Sequence, residues 1–375
     1  MAGRLVNGRG TQRGDGAESG REPRGLRRGP SGGPHMGASA LLRVGHAGTA
    51  ALTLLALACA TLTALVIGAS SVGAGDVLAL VTGGDLSPMA RNILINMRIP
   101  RVAAGLLAGA SLAVAGAVIQ SVLDNPLASP NVIGVNGGAG LAVLVAATIP
   151  ALGATANPAV LPLASFIGAL TAAAVVFAIS ARTGVSRLTV VLAGVAINAV
   201  CGAGQNAILS MAPKAYLGSS SFLVGGFSGV LLGNLAVPCA LSLVGFLVAL
   251  ALAPSLQVLS LGSESAHALG VPVTAVRLIG LTAGALLAAS AVSFAGLIGF
   301  VGLVVPHIVR RVFGSDVRRL IPLCAAWGAT FTVACDTFAR TAFAPYELAV
   351  GIPLAFIGGP FFIYLIMRGR GYRDE

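Results

Sequence analysis

The sequence predicts an all-α, polytopic membrane protein with about ten transmembrane helices and both termini in the cytoplasm. Three observations predict it. Hydrophobic residues make up 56% of the 375 and charged residues only 9%, where a soluble domain carries roughly 45–50% and about 25%. Long apolar runs recur from Ala47 to Met367, mostly near the ~20 helical residues that cross about 30 Å of hydrocarbon. Lys and Arg are distributed unevenly between alternate connecting segments, as they are in proteins with a fixed membrane orientation.

In chain order, residues 1–37 hold seven arginines and many glycines without a long apolar run, the composition of a disordered basic cytoplasmic tail. Met36 is a second candidate start. The first apolar run, 47–69, is long enough to span the bilayer, unlike the core of a secretory signal. Further spans are read at 102–122, 132–149, 160–181, 189–210, 236–253, 274–297, 298–313, 319–339 and 350–367. They lack the alternation of transmembrane strands and are longer than the roughly 11 residues such strands need. This gives one transmembrane domain over 47–367, with a cytoplasmic loop at 255–273 and a short cytoplasmic tail at 368–375.

With the N-terminus inside, 18 of the 23 basic residues fall on the cytoplasmic side. Five fall outside: Arg91, Arg98, Arg101, Lys214 and Arg340. Discounting the tail still leaves ten against five, in keeping with positive-inside bias. The same distribution accounts for the net charge of +11 without a nucleic-acid partner; the bilayer is the partner it implies.

The chemistry available is sparse. The acids beyond the tail lie in connections or near span ends (Asp76, Asp85, Asp124, Glu264, Asp316, Asp336, Glu347), whereas proton-driven transporters carry ionisable groups within their spans. Sodium coupling through backbone carbonyls stays open. A P-loop needs Lys in G-x-x-x-x-G-K-[ST], and the only lysine, Lys214, stands in A-P-K-A. No hydrolase or zinc motif occurs. His307 reads as a hydrogen-bonded helix residue, and Cys59, Cys201, Cys239, Cys324 and Cys335 as small buried hydrophobes. This chain is expected to hold no catalytic residue and no metal.

Three polar stretches interrupt the spans. Asp124-Asn125-Pro126-Leu127-Ala128-Ser129-Pro130-Asn131 carries two prolines, which remove backbone donors and force a break; it reads as a tight turn and as a constriction at the cytoplasmic end of a pore. In the 255–273 loop, Ser263 is placed to cap a short helix with Glu264 at its positive end, and Gly270 and Pro272 to stop it, a shape suited to docking a soluble partner. Arg98, Arg101 and Arg340 stand on the side that should be poor in positive charge. They read either as interface anchors or as forks for carboxylates of an external partner.

Together these stretches resemble the FecCD-type permease family of ATP-binding-cassette (ABC) importers for iron–siderophore complexes, haem and vitamin B12. The resemblance rests on R-I-P-R-V-A-A-G-L-L-A-G-A-S-L-A-V-A-G-A-V-I-Q at 98–120, D-N-P-L-A-S-P-N-V-I-G-V-N-G-G-A at 124–139 and L-A-G-V-A-I-N at 192–198. It continues with L-G-V-P at 269–272, A-G-L-I-G-F-V-G-L-V-V-P-H-I-V-R at 295–310 and E-L-A-V-G-I-P-L-A-F-I-G-G-P-F-F at 347–362. It implies ten helices per subunit and a bacterial cytoplasmic membrane. It also implies a second permease subunit, identical or paralogous, an extracytoplasmic substrate-binding protein, and a pair of cytoplasmic ATPases that use ATP and Mg while this chain binds no cofactor. Carried over by residue, Arg98, Arg101 and Arg340 meet glutamates of the binding protein. Asn125 and Leu127 belong to one cytoplasmic gate, and Ser186 and Thr189 to another, where Arg187 departs from the B12-type pattern. Gly262, Glu264, Ala268, Leu269 and Gly270 belong to the short coupling helix that sits in the ATPase. Gln120, Asn198 and Asn206 would line the pathway or bond neighbouring helices. The implied function is import of a ferric siderophore by alternating access; the alternatives are B12 or haem import by the same machinery, and an ion-coupled secondary transporter.

Overall fold

A computed structural model describes residues 46–68, 72–149, 159–182, 187–344 and 346–369. They lie within the compact unit Val44–Glu375; the expected tail at 1–37 lies outside the described residues. The described chain is helical, with no strand among the described residues. The long helices are α1 (His46–Val66), α4 (Ile99–Leu123), α6 (Val160–Arg182), α7 (Arg187–Met211), α9 (Ala236–Leu259), α11 (Val273–Ala295), α13 (Val317–Thr341) and α14 (Gly351–Gly369). Shorter ones are α2 (Ala74–Thr82), α3 (Pro88–Ile93), α5 (Val135–Thr148), α8 (Lys214–Val224), α10 (Ser263–Ala268) and α12 (Val301–Phe313). Their composition demands this state, because hydrocarbon offers no hydrogen bonds to backbone groups left open.

Each of the ten expected spans coincides with a helix, but among the described residues seven helices are long and apolar enough to cross a membrane by themselves. Helices α5 and α12 have 14 and 13 residues, about 21 and 20 Å at 1.5 Å per residue. Both start from broken backbone: a 3-10 turn at Pro130–Ile133 precedes α5, and the irregular stretch 296–300 precedes α12. There Phe300 takes a left-handed φ of 66° with its ring against Gly358 of α14. Such backbone at membrane depth persists where protein surrounds it.

Helix α4 is the axis of the fold. Nineteen of its 25 residues are buried, and it packs against α13, α11, α12, α9 and α1. Packing this close needs small residues, since association in lipid rests on van der Waals fit. A side chain on Gly109 would overlap the Gly328 carbonyl of α13, and one on Gly116 the Gly302 carbonyl of α12. By contrast, among the described side chains of α1 only Thr53 and Ala64 are buried. Broad apolar faces of α7 (Leu188, Leu192, Val195, Val200) and α14 (Phe356, Ile357, Ile363, Met367) are also exposed.

The structure departs from the sequence reading in several places. The connection after the first span contains α2 and α3, and a π turn at Leu94–Arg98 fuses α3 to α4. A further helix, α8, follows α7. Cys201, Cys324 and Cys335 are buried as expected, but Cys59 and Cys239 are exposed.

Candidate functional site

The functional residues gather at the two ends of α4, about 37 Å apart for a 25-residue helix. At its N-terminal end are the arginines. The last carbonyls of α1 have no partner further along their own helix and carry the negative end of its dipole. Arg98 Nη1 donates to Leu65 O at 2.6 Å and Val66 O at 2.9 Å, and Arg340 Nη2 to Ala64 O at 3.1 Å. The π turn carries Arg98 to this position; such turns are frequent at functional sites.

Arg101 instead faces carboxylates. Its Nε and Nη2 form a fork on Asp336, with Nε–Oδ2 and Nη2–Oδ1 both 3.0 Å, and its Nη1 donates to Glu347 Oε2 at 2.6 Å. Arg340 Nε lies 3.1 Å from Asp336 Oδ2 as an ion pair, without hydrogen-bond alignment. Arg98 and Arg340 are 4% and 3% exposed, so these two are not free surface forks, one of the two readings the sequence left open. All three arginines line, with Asn96, Ser228 and Glu347, an open cavity of about 520 Å³. The sequence reading missed Asp336 and Glu347. Asp336 had a signal, its i,i+4 spacing to Arg340 on one helix.

At the other end of α4 the chain turns. Asp124 adopts a left-handed φ of 44°. Asn125 Oδ1 accepts from Leu127 N at 2.9 Å, an Asx turn, and Ala128 N donates to Asn125 O at 3.1 Å. Asn125 is exposed and Leu127 half-buried. In the second expected gate, Thr189 is half-buried in the first turn of α7, and Ser186 lies outside the described residues.

Gln120 is 2% exposed and does not line an open path. Its Nε2 donates to Ala128 O at 3.1 Å and Gly302 O at 3.2 Å, while its Oε1 accepts from Arg310 Nη1. Asn198 Nδ2 donates to Asn131 O at 2.7 Å and ties α7 to the turn. Gln205 Nε2 does the same to Gly137 O at 3.1 Å. Asn206 is exposed. His307 packs edge-on to Phe361 with centroids 5.6 Å apart.

On that same end sits α10. Its N-cap is Gly262 (φ 103°), not Ser263; Ser263 Oγ accepts from Arg277 Nη2 of α11 at 2.7 Å. Gly270, at φ 79°, ends the helix, and Val271 N reaches back to Ala266 O at 3.0 Å, the pattern of a glycine-closed terminus. Ala266 is fully buried, whereas Glu264, Ala268, Leu269 and Gly270 are exposed, Leu269 by 66%. Ala266 and the Ser263–Arg277 bond thus anchor a short helix whose remaining faces are open.

Among curated proteins, the chain is 38% identical over 289 residues to the hemin transport system permease protein HmuU of Yersinia pestis, covering 76% of this chain and 85% of that protein. It is 40% identical over 285 residues to the cobalamin import system permease protein BtuC of Halobacterium salinarum, covering 76% and 75%. To the Fe(3+)-citrate import system permease protein YfmD of Bacillus subtilis it is 35% identical over 309 residues, covering 82% and 91%. A solved structure of a metal-chelate type ABC transporter in an inward-facing conformation superimposes with a TM-score of 0.72 at 27% identity, over 84% of this chain and 97% of that one. The family model for the FecCD transport family matches residues 54–368. With its helical bundle, broken spans and projecting α10, this chain belongs to the FecCD transport family and is a permease subunit of an ABC importer of the metal-chelate type.

Proposed function

We propose that the chain imports a ferric siderophore, as one of two permease subunits enclosing a shared pathway. The observation that carries the energetic half of this reading is α10. The sequence has no P-loop, so the energy of ATP must arrive by contact, and α10 offers a braced helix with Glu264, Ala268 and Leu269 projecting. Cytoplasmic ATPases, using ATP and Mg, bind there. A substrate-binding protein docks over the cavity at the opposite end, where Arg101 is the most reachable of the three guanidiniums and Arg98 and Arg340 hold the rim in shape. Asn125 and Leu127, with Ser186 and Thr189, form the cytoplasmic gate, and Asn206 faces the pathway. The ion-coupled alternative falls with the family assignment.

Relatives named for Fe(3+)-citrate and Fe(3+)-hydroxamate import support an iron chelate as cargo. Uptake of radiolabelled iron, offered as a panel of ferric siderophores to cells with and without the gene, tests it. Loss of uptake of one siderophore is expected. Unchanged iron uptake with loss of cobalamin or haem import would overturn the cargo and keep the machinery, an outcome made specific by the cobalamin and hemin relatives.

A further inference from the structure

We infer that Arg310 is a positioning residue for the cytoplasmic gate turn and acts on it through Gln120. The inference rests on the reading of Asn125–Asn131 as a gate. Arg310 lies in the last turn of α12 and reaches across to the C-terminal end of α4. There it donates to Gln120 Oε1, to Ala117 O at 3.3 Å and to Ser121 Oγ at 3.4 Å. None of its partners among the described residues is a carboxylate. The negative end of the α4 dipole and neutral oxygens hold the cation.

A guanidinium can only donate, whereas the Gln amide has one accepting and one donating end. Arg310 therefore forces the amide oxygen of Gln120 toward itself and turns Nε2 toward two carbonyls, Ala128 O in the turn and Gly302 O at the head of α12. The amide is buried, so neither end can exchange its partner for water without cost. Beyond α12, Val317 N donates to Gln257 Oε1 at 2.8 Å, and Gln257 lies in the last turn of α9, just before α10. Val317 opens α13, so displacement of α10 and the end of α9 reaches α13 through this clip and passes to α12, which packs against α13; α12 carries it by way of Arg310 and Gln120 to Ala128.

The test uses the full complex with its ATPase and reads the reaction rate of a maleimide with Asn125→Cys, in a background lacking the five native cysteines. Rates are compared without nucleotide and after trapping with ATP and vanadate, beside the rate of ATP hydrolysis. With Arg310 and Gln120 intact a several-fold change between states is expected. In Arg310→Gln and Gln120→Met it should shrink below twofold while hydrolysis persists. Arg310→Lys should keep part of it, and the double variant should be no worse than either single one. A full-sized change in both single variants overturns the inference, as does loss of assembly in both, which would make the pair a fold element. No change even with the pair intact overturns the gate reading instead.

Discussion

Asp336 stands between two guanidiniums, and removing its charge would leave both Arg101 and Arg340 buried without it. Breaking a buried pair costs about 3–5 kcal/mol, so Asp336→Asn should lower the Tm of the purified protein markedly; a Tm equal to wild type would show that Glu347, for Arg101, and the α1 carbonyls, for Arg340, suffice to hold the cluster. Glu347 differs, because its side chain is 40% exposed. Glu347→Gln should cost less than ~1 kcal/mol and, by releasing Arg101 Nη1, should tighten capture of the binding protein. An unchanged Kd in Glu347→Gln would show that Arg101 Nη1 takes no part in docking. The sequence pointed to the arginines because they broke the charge bias, but not to their partners. Arg101 and Asp336 are 235 residues apart, and only the packing of α4 on α13 brings them together. Gln120 was left between two readings for a related reason: an amide in an apolar helix reads equally as lining or as a cross-link, and its burial and bonds across helices favour the cross-link.

The long spans were legible because a bilayer imposes one length and one polarity on whatever crosses it. Helices α2, α3 and α8 were not, since segments of 9, 6 and 11 residues are too short to stand out between spans. The fate of α10 was half legible: its stop at Gly270 and its exposed Glu264 were readable, but Ser263 proved to serve Arg277 rather than the helix end. Replacing 264–271 with a Gly/Ser linker should abolish co-purification of the ATPase without unfolding the bundle; retained ATPase would place the docking surface elsewhere. The α4–α13 contact predicts a different outcome. Gly109→Val drives a side chain into the Gly328 backbone, which cannot rotate away, and should cost about 3 kcal/mol, the upper end for overpacking, read as lost yield and lowered Tm.

At the scale of the molecule, the composition established the membrane environment. The order of the broken motifs led to the family, and the family model confirms it over 54–368. Cargo was beyond reach, since no charged or metal-ligating cluster marks it; among the described residues no group of His, Cys, Asp or Glu could hold a metal. The attachment of α1 also bears on biosynthesis. Its carbonyls are capped by Arg98, 33 residues onward from Leu65, but Thr53 receives the Trp327 indole from 274 residues away and Ala64 receives Arg340 from 276. At roughly 5–20 residues per second, α1 leaves the ribosome on the order of tens of seconds before α13 exists. Until then Arg98 and the contacts with α2 and α4 are its ties within the chain, its outward leucines are already suited to lipid, and a helix made early is fastened in full only late.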